Sequence, residues 1–168
     1  MKTKIALKYG LISGGLIVAS WFITIGFGEK PDFVLGEILG YAIMIAALSA
    51  VFLGIKRIRD ENGSLSFKDA FFNGLGITLV ASLIYVIGWM IYMPNFAPDF
   101  ADKYSAAQVE LIQQMDIEEE EKQKQIKDIN EWNESYKQPH VMAAMTFTEI
   151  FPIGLLVTLI SSLILKRK

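Results

Sequence analysis

Four long stretches of this chain carry almost no charged side chains, and they constrain its fold more than any other feature of the sequence. They cover residues 6–28, 33–55, 70–94 and 141–165. A helix needs roughly 20 residues to cross the hydrocarbon core of a bilayer, and each stretch is that long. None of them alternates polar and apolar residues as a barrel strand does. We therefore predict an all-α fold, a four-helix transmembrane bundle.

The composition excludes several classes of protein. Hydrophobic residues make up 52% of the 168, there is no cysteine, and the formal net charge is −2. The lack of cysteine excludes a disulfide-stapled secreted domain and a cysteine-ligated metal site, and the apolar fraction excludes a disordered chain. The balance of 16 basic and 18 acidic residues gives no nucleic-acid footprint. No phosphate loop, dinucleotide fingerprint or serine elbow is present, so we expect neither a cofactor nor an enzyme.

The charges between the stretches predict their orientation. The residues up to Lys8, those between the second and third spans, and those after the fourth carry ten basic and three acidic residues, whereas residues 99–140 carry eleven acids and five lysines. The positive-inside rule places the basic segments in the cytoplasm, so both termini are expected there. A cleavable signal peptide is the alternative for the first stretch, but its apolar run is about twice the usual length.

Residues 99–139 form a distinctive connection between the third and fourth spans. Apolar residues recur at helical spacing in 109–115, and a second set follows at Ile126, Ile129, Trp132 and Tyr136. We therefore expect two amphipathic extracytoplasmic helices that break near Asp116. The second set is a candidate face for an unidentified membrane or periplasmic protein. The alternative is that the two helices pack on each other or lie on membrane lipid.

Two carboxylates interrupt the apolar stretches, Glu37 in the second and Glu149 in the fourth. A charge inside a span costs about 2.5–3.5 kcal/mol on insertion scales, so it indicates a functional site by default. Pro152 leaves the carbonyl of Thr148 without its helical N–H donor and favours a kink. Counted along the helices, both carboxylates and Tyr85 fall in the outer half of the bundle. We predict one polar site there for a cation or a proton; alternatively, each carboxyl only hydrogen-bonds a neighbouring helix.

Two glycine pairs have the spacing that lets helices approach closely. Gly10 and Gly14 lie in the first stretch, and Gly36 and Gly40 lie in the second. Small residues four apart form a flat strip along one side of a helix. We expect both pairs to serve packing within the chain, with a homodimer as the alternative.

The order of these features resembles the domain-of-unknown-function 4199 family of bacterial membrane proteins, seen mainly in Bacteroidetes. The resemblance is carried by residues 36–93 and 145–168, and within them by the motifs Gly36-Glu37, Gly54-Ile55-Lys56-Arg57 and Glu149-Ile150-Phe151-Pro152. It implies a four-span, multi-pass protein of the bacterial inner membrane. It implies no activity.

Two functions therefore remain open at this level. The first is a non-enzymatic assembly or interaction protein that acts through its extracytoplasmic helices. The alternative is proton-coupled transport or ion permeation through the site that contains Glu37 and Glu149. Four helices are few for a transporter, so this alternative implies a dimer.

Overall fold

The computed structural model describes residues 2–24 and 33–166, and this part of the chain folds into six helices. The helices are α1 (Thr3–Thr24), α2 (Phe33–Asn62), α3 (Phe67–Phe96), α4 (Phe100–Gln114), α5 (Glu119–Tyr136) and α6 (Pro139–Leu165). Within the described residues, α1, α2, α3 and α6 are long and apolar enough to cross a membrane. The predicted all-α fold is confirmed, and the chain is a membrane protein.

Helix α2 extends beyond the predicted end of its span at residue 55. The added residues, 56–62, are mostly charged, but most of them are good helix formers, so the helix can continue after leaving an apolar layer. Gly63 then ends it with a φ of 72°, and its N–H donates a 2.9 Å hydrogen bond to the carbonyl of Arg59. Glycine adopts this left-handed conformation without a steric penalty.

The chain divides into two compact units. The first consists of the described residues within Met1–Trp89 and Thr146–Lys168, and the second is Met90–Met145. The first unit therefore holds α1, α2 and most of α3 and α6. The second holds α4 and α5 together with one end each of α3 and α6.

The core of the first unit is filled by aliphatic side chains from three helices. Leu48, Val51 and Ile55 of α2, Ile77 of α3 and Ile150 of α6 are all inaccessible to solvent. The opposite faces of the same helices expose large aliphatic side chains, among them Ile38, Leu83, Leu156 and Ile164. An apolar exterior around a packed interior is what a helix bundle needs in order to face lipid chains.

The first glycine pair brings α1 against α3. A Cβ added to Gly10 would lie 2.5 Å from the Cβ of Val80, and one added to Gly14 would lie 2.9 Å from the carbonyl oxygen of Ala81. These contacts are too close for any larger residue, so the two helices depend on both glycines. On the other side of α1, the hydroxyl of Ser13 donates to the carbonyl of Ala47 in α2 at 2.9 Å.

The second glycine pair has no such neighbour. A Cβ added to Gly36 or Gly40 would meet no heavy atom of a neighbouring element within 4 Å. We expected both pairs to serve packing within the chain. Gly10 and Gly14 do so, whereas Gly36 and Gly40 pack against no other element in the part of the chain that the structure describes.

In the second unit, α4 and α5 form an antiparallel hairpin joined by residues 115–118. This break agrees with the one predicted near Asp116. The side-chain amide of Asn133 donates to the carboxylate of Asp102 at 2.8 Å, and Lys122 Nζ approaches the carbonyl of Gln113 at 3.4 Å. The two expected amphipathic helices are thus present and pack on each other.

Candidate functional site

The predicted intramembrane site is centred on a hydrogen bond between α3 and α6. The hydroxyl of Tyr85 donates to Oε2 of Glu149 over 3.1 Å. Tyr85 is buried, with 6% of its surface exposed, whereas Glu149 is exposed. The tyrosine therefore holds one end of the carboxylate against the bundle and leaves the rest of it approachable.

Aromatic rings from α1 and α3 pack behind this hydrogen bond. Trp21 of α1 contacts Tyr85 and Trp89, with ring centroids 5.2 and 4.9 Å apart, respectively. Tyr85 and Trp89 are four residues apart and so share one face of α3. Both tryptophans are buried, and Trp21 holds the tyrosine ring in place through a ring contact, not through a bond to the tyrosine hydroxyl.

The second carboxylate, Glu37, belongs to α2 and has an exposed side chain. Its charge acts on Glu149 only weakly, because burial and the hydrogen bond from Tyr85 both affect that carboxylate more. Like charges in a medium of low dielectric constant favour a bound cation or proton between or upon them. The structure thus brings two of the predicted site residues, Glu149 and Tyr85, into contact.

The other two predicted site residues lie on the neighbouring surface of α6. Thr148 and Pro152 are both exposed, and Ile150 between them points into the core. The helix continues through Pro152 from Pro139 to Leu165. Because proline has no N–H, it cannot donate to the carbonyl of Thr148 as the other residues of a helix would.

The structure also reveals a row of buried hydroxyl groups that the sequence analysis missed. Its members are Thr78 and Ser82 on α3 and Thr146, Thr158 and Ser162 on α6, none of which exposes any surface. The signal was present in the sequence, since Thr146, Gly154, Thr158 and Ser162 recur at intervals of four or eight in an otherwise apolar helix. We call these five residues, together with Tyr85, the hydroxyl file.

Two members of the hydroxyl file join the helices directly. Oγ1 of Thr78 lies 2.8 Å from Oγ1 of Thr158 and donates to the carbonyl of Gly154 at 3.2 Å. Further along α6, the hydroxyl of Ser162 donates to the carbonyl of Thr158 at 2.7 Å. Close approach is possible here because position 154 is glycine: an added Cβ would lie 2.5 Å from Thr78 Cγ2.

Two other members have no partner. Oγ of Ser82 and Oγ1 of Thr146 are buried and make no hydrogen bond to any described residue. Buried polar groups are nearly always hydrogen-bonded, because an unmade bond costs the full desolvation penalty. The donor and acceptor capacity of each hydroxyl is therefore unused toward the described residues.

The predicted partner face on α5 is largely covered within the hairpin. Trp132 stacks on Tyr136 at 4.9 Å and contacts the ring of Tyr104 in α4 at 6.1 Å. Tyr136 is 5% exposed, and Ile126 and Ile129 are half-buried. Helical periodicity identified these residues as an apolar face, and α4 covers a large part of that face.

An ionic cluster closes the base of the hairpin. The carboxylate of Asp102 accepts hydrogen bonds from Asn133 at 2.8 Å and from Lys137 at 3.0 Å. These two contacts, first that of Asn133 and then that of Lys137, lower the pKa of the Asp102 carboxyl below its usual range. The ammonium of Lys137 also contacts Glu134 at 2.9 Å, and its pKa is raised by Glu134 and Asp102.

A polar cavity of about 460 Å³ lies in the first unit, at the other end of α2 and α3 from Glu37 and Tyr85. It is bordered by Lys2, Asn62, Asp69 and Asn73, among other residues. Lys2 is firmly held there, since its Nζ contacts Glu61 at 2.9 Å and its backbone N–H donates to Asn73 at 2.7 Å. Within the described ranges, no three His, Asp or Glu side chains come together in a way that could hold a metal ion.

The comparisons with known proteins identify a family. A family model described as "Protein of unknown function (DUF4199)" matches residues 8–167, which confirms the resemblance seen in the sequence. No curated protein and no solved structure matches the chain.

Proposed function

Since the chain belongs to this family, whose description assigns no activity, we propose a function from the site itself: the protein translocates a cation across the membrane, by proton-coupled transport or ion permeation, with Glu149 as the binding group. The observation that carries the proposal is the 3.1 Å hydrogen bond from Tyr85 to Glu149. It keeps a carboxylate inside a membrane-crossing helix, where a charge is costly and is retained for use.

The electrostatics of the site support a cation as the translocated species. Glu37 and Glu149 repel each other weakly, and a positive charge that arrives between them relieves this repulsion. Glu149 remains approachable because Tyr85 covers only one of its oxygens. In this proposal Glu149 binds a cation from one side of the membrane and releases it to the other, and this is the elementary step of translocation.

We propose that the protein acts in the bacterial inner membrane with both termini in the cytoplasm. The support is the charge distribution, ten basic and three acidic residues on the side assigned to the cytoplasm. In this orientation Glu37 and Glu149 lie in the outer half of the bundle. Because four helices are few for a transporter, we propose that two copies form the working unit.

Flux in proteoliposomes tests the proposal. Purified protein is reconstituted, an ion gradient and a membrane potential are imposed, and uptake is compared between wild type, Glu149→Gln and Glu131→Gln. Glu131 is the matched control, because it is an exposed glutamate on α5 outside the site. Glu149→Gln should lower flux at least about tenfold and Glu131→Gln should leave it unchanged. Equal flux in all three, or none above that of empty liposomes, would overturn the proposal.

An assembly function is the second candidate, and one observation favours it. Leu111, Met115 and Ile117, at the turn of the hairpin, are 45%, 47% and 37% exposed. The acidic run Glu118–Glu121 follows directly, so the turn combines apolar and acidic surface. Since α4 covers much of the face formed by Ile126, Ile129, Trp132 and Tyr136, a partner would have to engage this turn rather than that face.

Site-specific photocrosslinking in cells distinguishes this second candidate. A photoreactive amino acid at Ile117 should give a discrete adduct to another protein if the turn recruits a partner. The same probe at Glu131, which is also exposed, is the control for nonspecific capture. Equal patterns at both positions would remove the assembly candidate and leave translocation alone.

A further inference from the structure

We propose that the translocated ion is a proton, and that it passes between Glu149 and the cytoplasmic side along the hydroxyl file, with water molecules bridging the hydroxyls that do not touch. This inference rests on the proposed function, because it names the ion and the route for the same carboxylate. It is carried by two hydrogen-bonded pairs and by a buried, unpartnered hydroxyl between them.

The two pairs fix the ends of the route. Tyr85 of α3 meets Glu149 of α6, and one end of the route is therefore the carboxylate. Thr78 of α3 meets Thr158 of α6. Thr78 precedes Tyr85 by seven residues, and Thr158 follows Glu149 by nine. The helices thus run antiparallel, and the pairs lie roughly 10 Å apart along the helix axes.

Ser82 lies between these pairs on the same face of α3. It follows Thr78 by four residues and precedes Tyr85 by three, which are axial steps of about 6 and 4.5 Å. One water with two hydrogen bonds of about 2.8 Å joins oxygens roughly 4.5–5.5 Å apart, which suits the step to Tyr85, whereas the step of about 6 Å to Thr78 needs a second water. The hydroxyl of Ser82 is buried and has no partner among the described residues, so its donor and acceptor sites are free for such waters.

Thr146 extends the file on the far side of Glu149. It precedes the glutamate by three residues, about 4.5 Å along α6, and its hydroxyl is also buried without a partner in the described chain. At the opposite end, Ser162 follows Thr158 by one turn and donates to its carbonyl. Polar groups therefore continue in both directions from the carboxylate.

The chemistry of the file suits a proton better than a metal ion. A dehydrated metal cation needs a ring of several oxygens around it at each stop. The oxygens here are the hydroxyls of Thr78 and Thr158 and the carbonyl of Gly154, and the Thr78 hydroxyl is already hydrogen-bonded to the other two. A proton needs only one oxygen at a time: each hydroxyl or water accepts one proton and passes another on, so every O–H bond that breaks is replaced. The hydroxyls of Thr78 and Ser162 donate to the carbonyls of Gly154 and Thr158, and they must rotate away from these carbonyls to pass a proton on.

Glu149 is the group that changes charge in this sequence. It accepts a proton from one side and becomes a neutral carboxylic acid, then releases it to the other side and is restored. One positive charge crosses the membrane per cycle and no other group is altered. Tyr85 acts as the first relay, because its hydroxyl touches the carboxylate and its ring is held by Trp21.

Proton flux in proteoliposomes tests the route. Ser82→Ala should lower flux at least about tenfold, Ser82→Thr should restore most of it, and Ser49→Ala should leave it at the wild-type level. Ser49 is the matched control, because its hydroxyl bonds only to Ala46 of its own helix and its side chain is exposed. If Glu149→Gln abolishes flux while Ser82→Ala does not, the route is wrong and the proposed function stands. If neither change matters, both fail.

A second measurement tests the water in the file without relying on flux. The chain has no cysteine, so single replacements report on their own surroundings. Ser82→Cys and Thr146→Cys should react with a small water-soluble methanethiosulfonate in liposomes, with the products counted by mass spectrometry. Ala81→Cys, equally buried one residue away, should stay unmodified. If the thiols at 82 and 146 are as inert as that at 81, the file is dry and the proposal is overturned.

Discussion

The hydroxyl of Tyr85 lies 3.1 Å from the carboxylate of Glu149, and this hydrogen bond joins two membrane-crossing helices through residues that are 64 positions apart in sequence. Neither tyrosine nor glutamate has a helix propensity that would mark it as special in its own helix. Their contact nevertheless gives an acidic group in an apolar layer a defined position and a defined partner. An intramembrane carboxylate fixed in this way is equipped to bind and release a cation.

Tyr85→Phe is the sharpest test of that contact, because it removes the hydroxyl and keeps the ring between Trp21 and Glu149. The loss of one hydrogen bond between helices should cost about 0.5–1.5 kcal/mol, measured by SDS-induced unfolding in mixed micelles. Cation flux should fall several-fold, because the carboxylate loses its fixed position. Unchanged flux would show that Glu149 works without the tyrosine.

The pair Thr78 and Thr158 should be energetically coupled. Valine has nearly the same shape as threonine, so Thr78→Val removes the 2.8 Å contact and leaves the other hydroxyl buried. Each single change should cost about 1 kcal/mol, and the double change should cost less than their sum. Additive losses in the same unfolding assay would mean that the two hydroxyls do not depend on each other.

The two glycine pairs should respond differently to alanine. Gly10→Ala forces a Cβ to within 2.5 Å of the branched Val80 side chain and should destabilise the bundle by about 1–3 kcal/mol. Gly36→Ala meets nothing within 4 Å and should leave the unfolding midpoint unchanged. If Gly36→Ala were as harmful as Gly10→Ala, a second chain would have to pack on that side of α2.

The hairpin should lose stability in acid through Asp102. The pKa of this carboxyl is lower in the folded hairpin than in the unfolded chain, because Asn133 and then Lys137 bind its charged form. Its contribution is therefore fully present above the unfolded pKa and is lost as the pH falls through the folded one. The protection of α4 and α5 against hydrogen exchange, relative to the intrinsic rate at each pH, should fall below about pH 4, near the usual aspartate pKa.

Asp102→Asn provides the control for that pH dependence. The amide keeps a similar shape and has no charge to lose, so the variant should exchange faster than wild type at neutral pH and show a weaker acid response. An identical acid profile in both proteins would assign the effect to another carboxyl group. The exposed Glu110→Gln, also on α4, should leave the profile unchanged.

Local patterns in the sequence were sufficient for the helices themselves. Four nearly uncharged stretches predicted the four membrane-crossing helices, and apolar spacing in 109–115 and 126–136 predicted α4 and α5. The same spacing did not identify which surface would cover Trp132 and Tyr136, because Tyr104 on α4 lies 28 residues away in sequence. A periodic face indicates that a helix will bury something, without identifying it.

What the sequence by itself determined is therefore the number of spans, the two helices of the hairpin and the presence of two costly carboxylates, since each of these depends on residues close together in the chain. Only the tertiary structure decided that Tyr85 meets Glu149, that Thr78 meets Thr158, and that Ser82 has no partner among the residues the structure describes. The physical reason is that these contacts depend on how each helix is rotated and shifted against its neighbour. Small residues such as Gly10 and Gly154 set that registration through contacts far away in sequence.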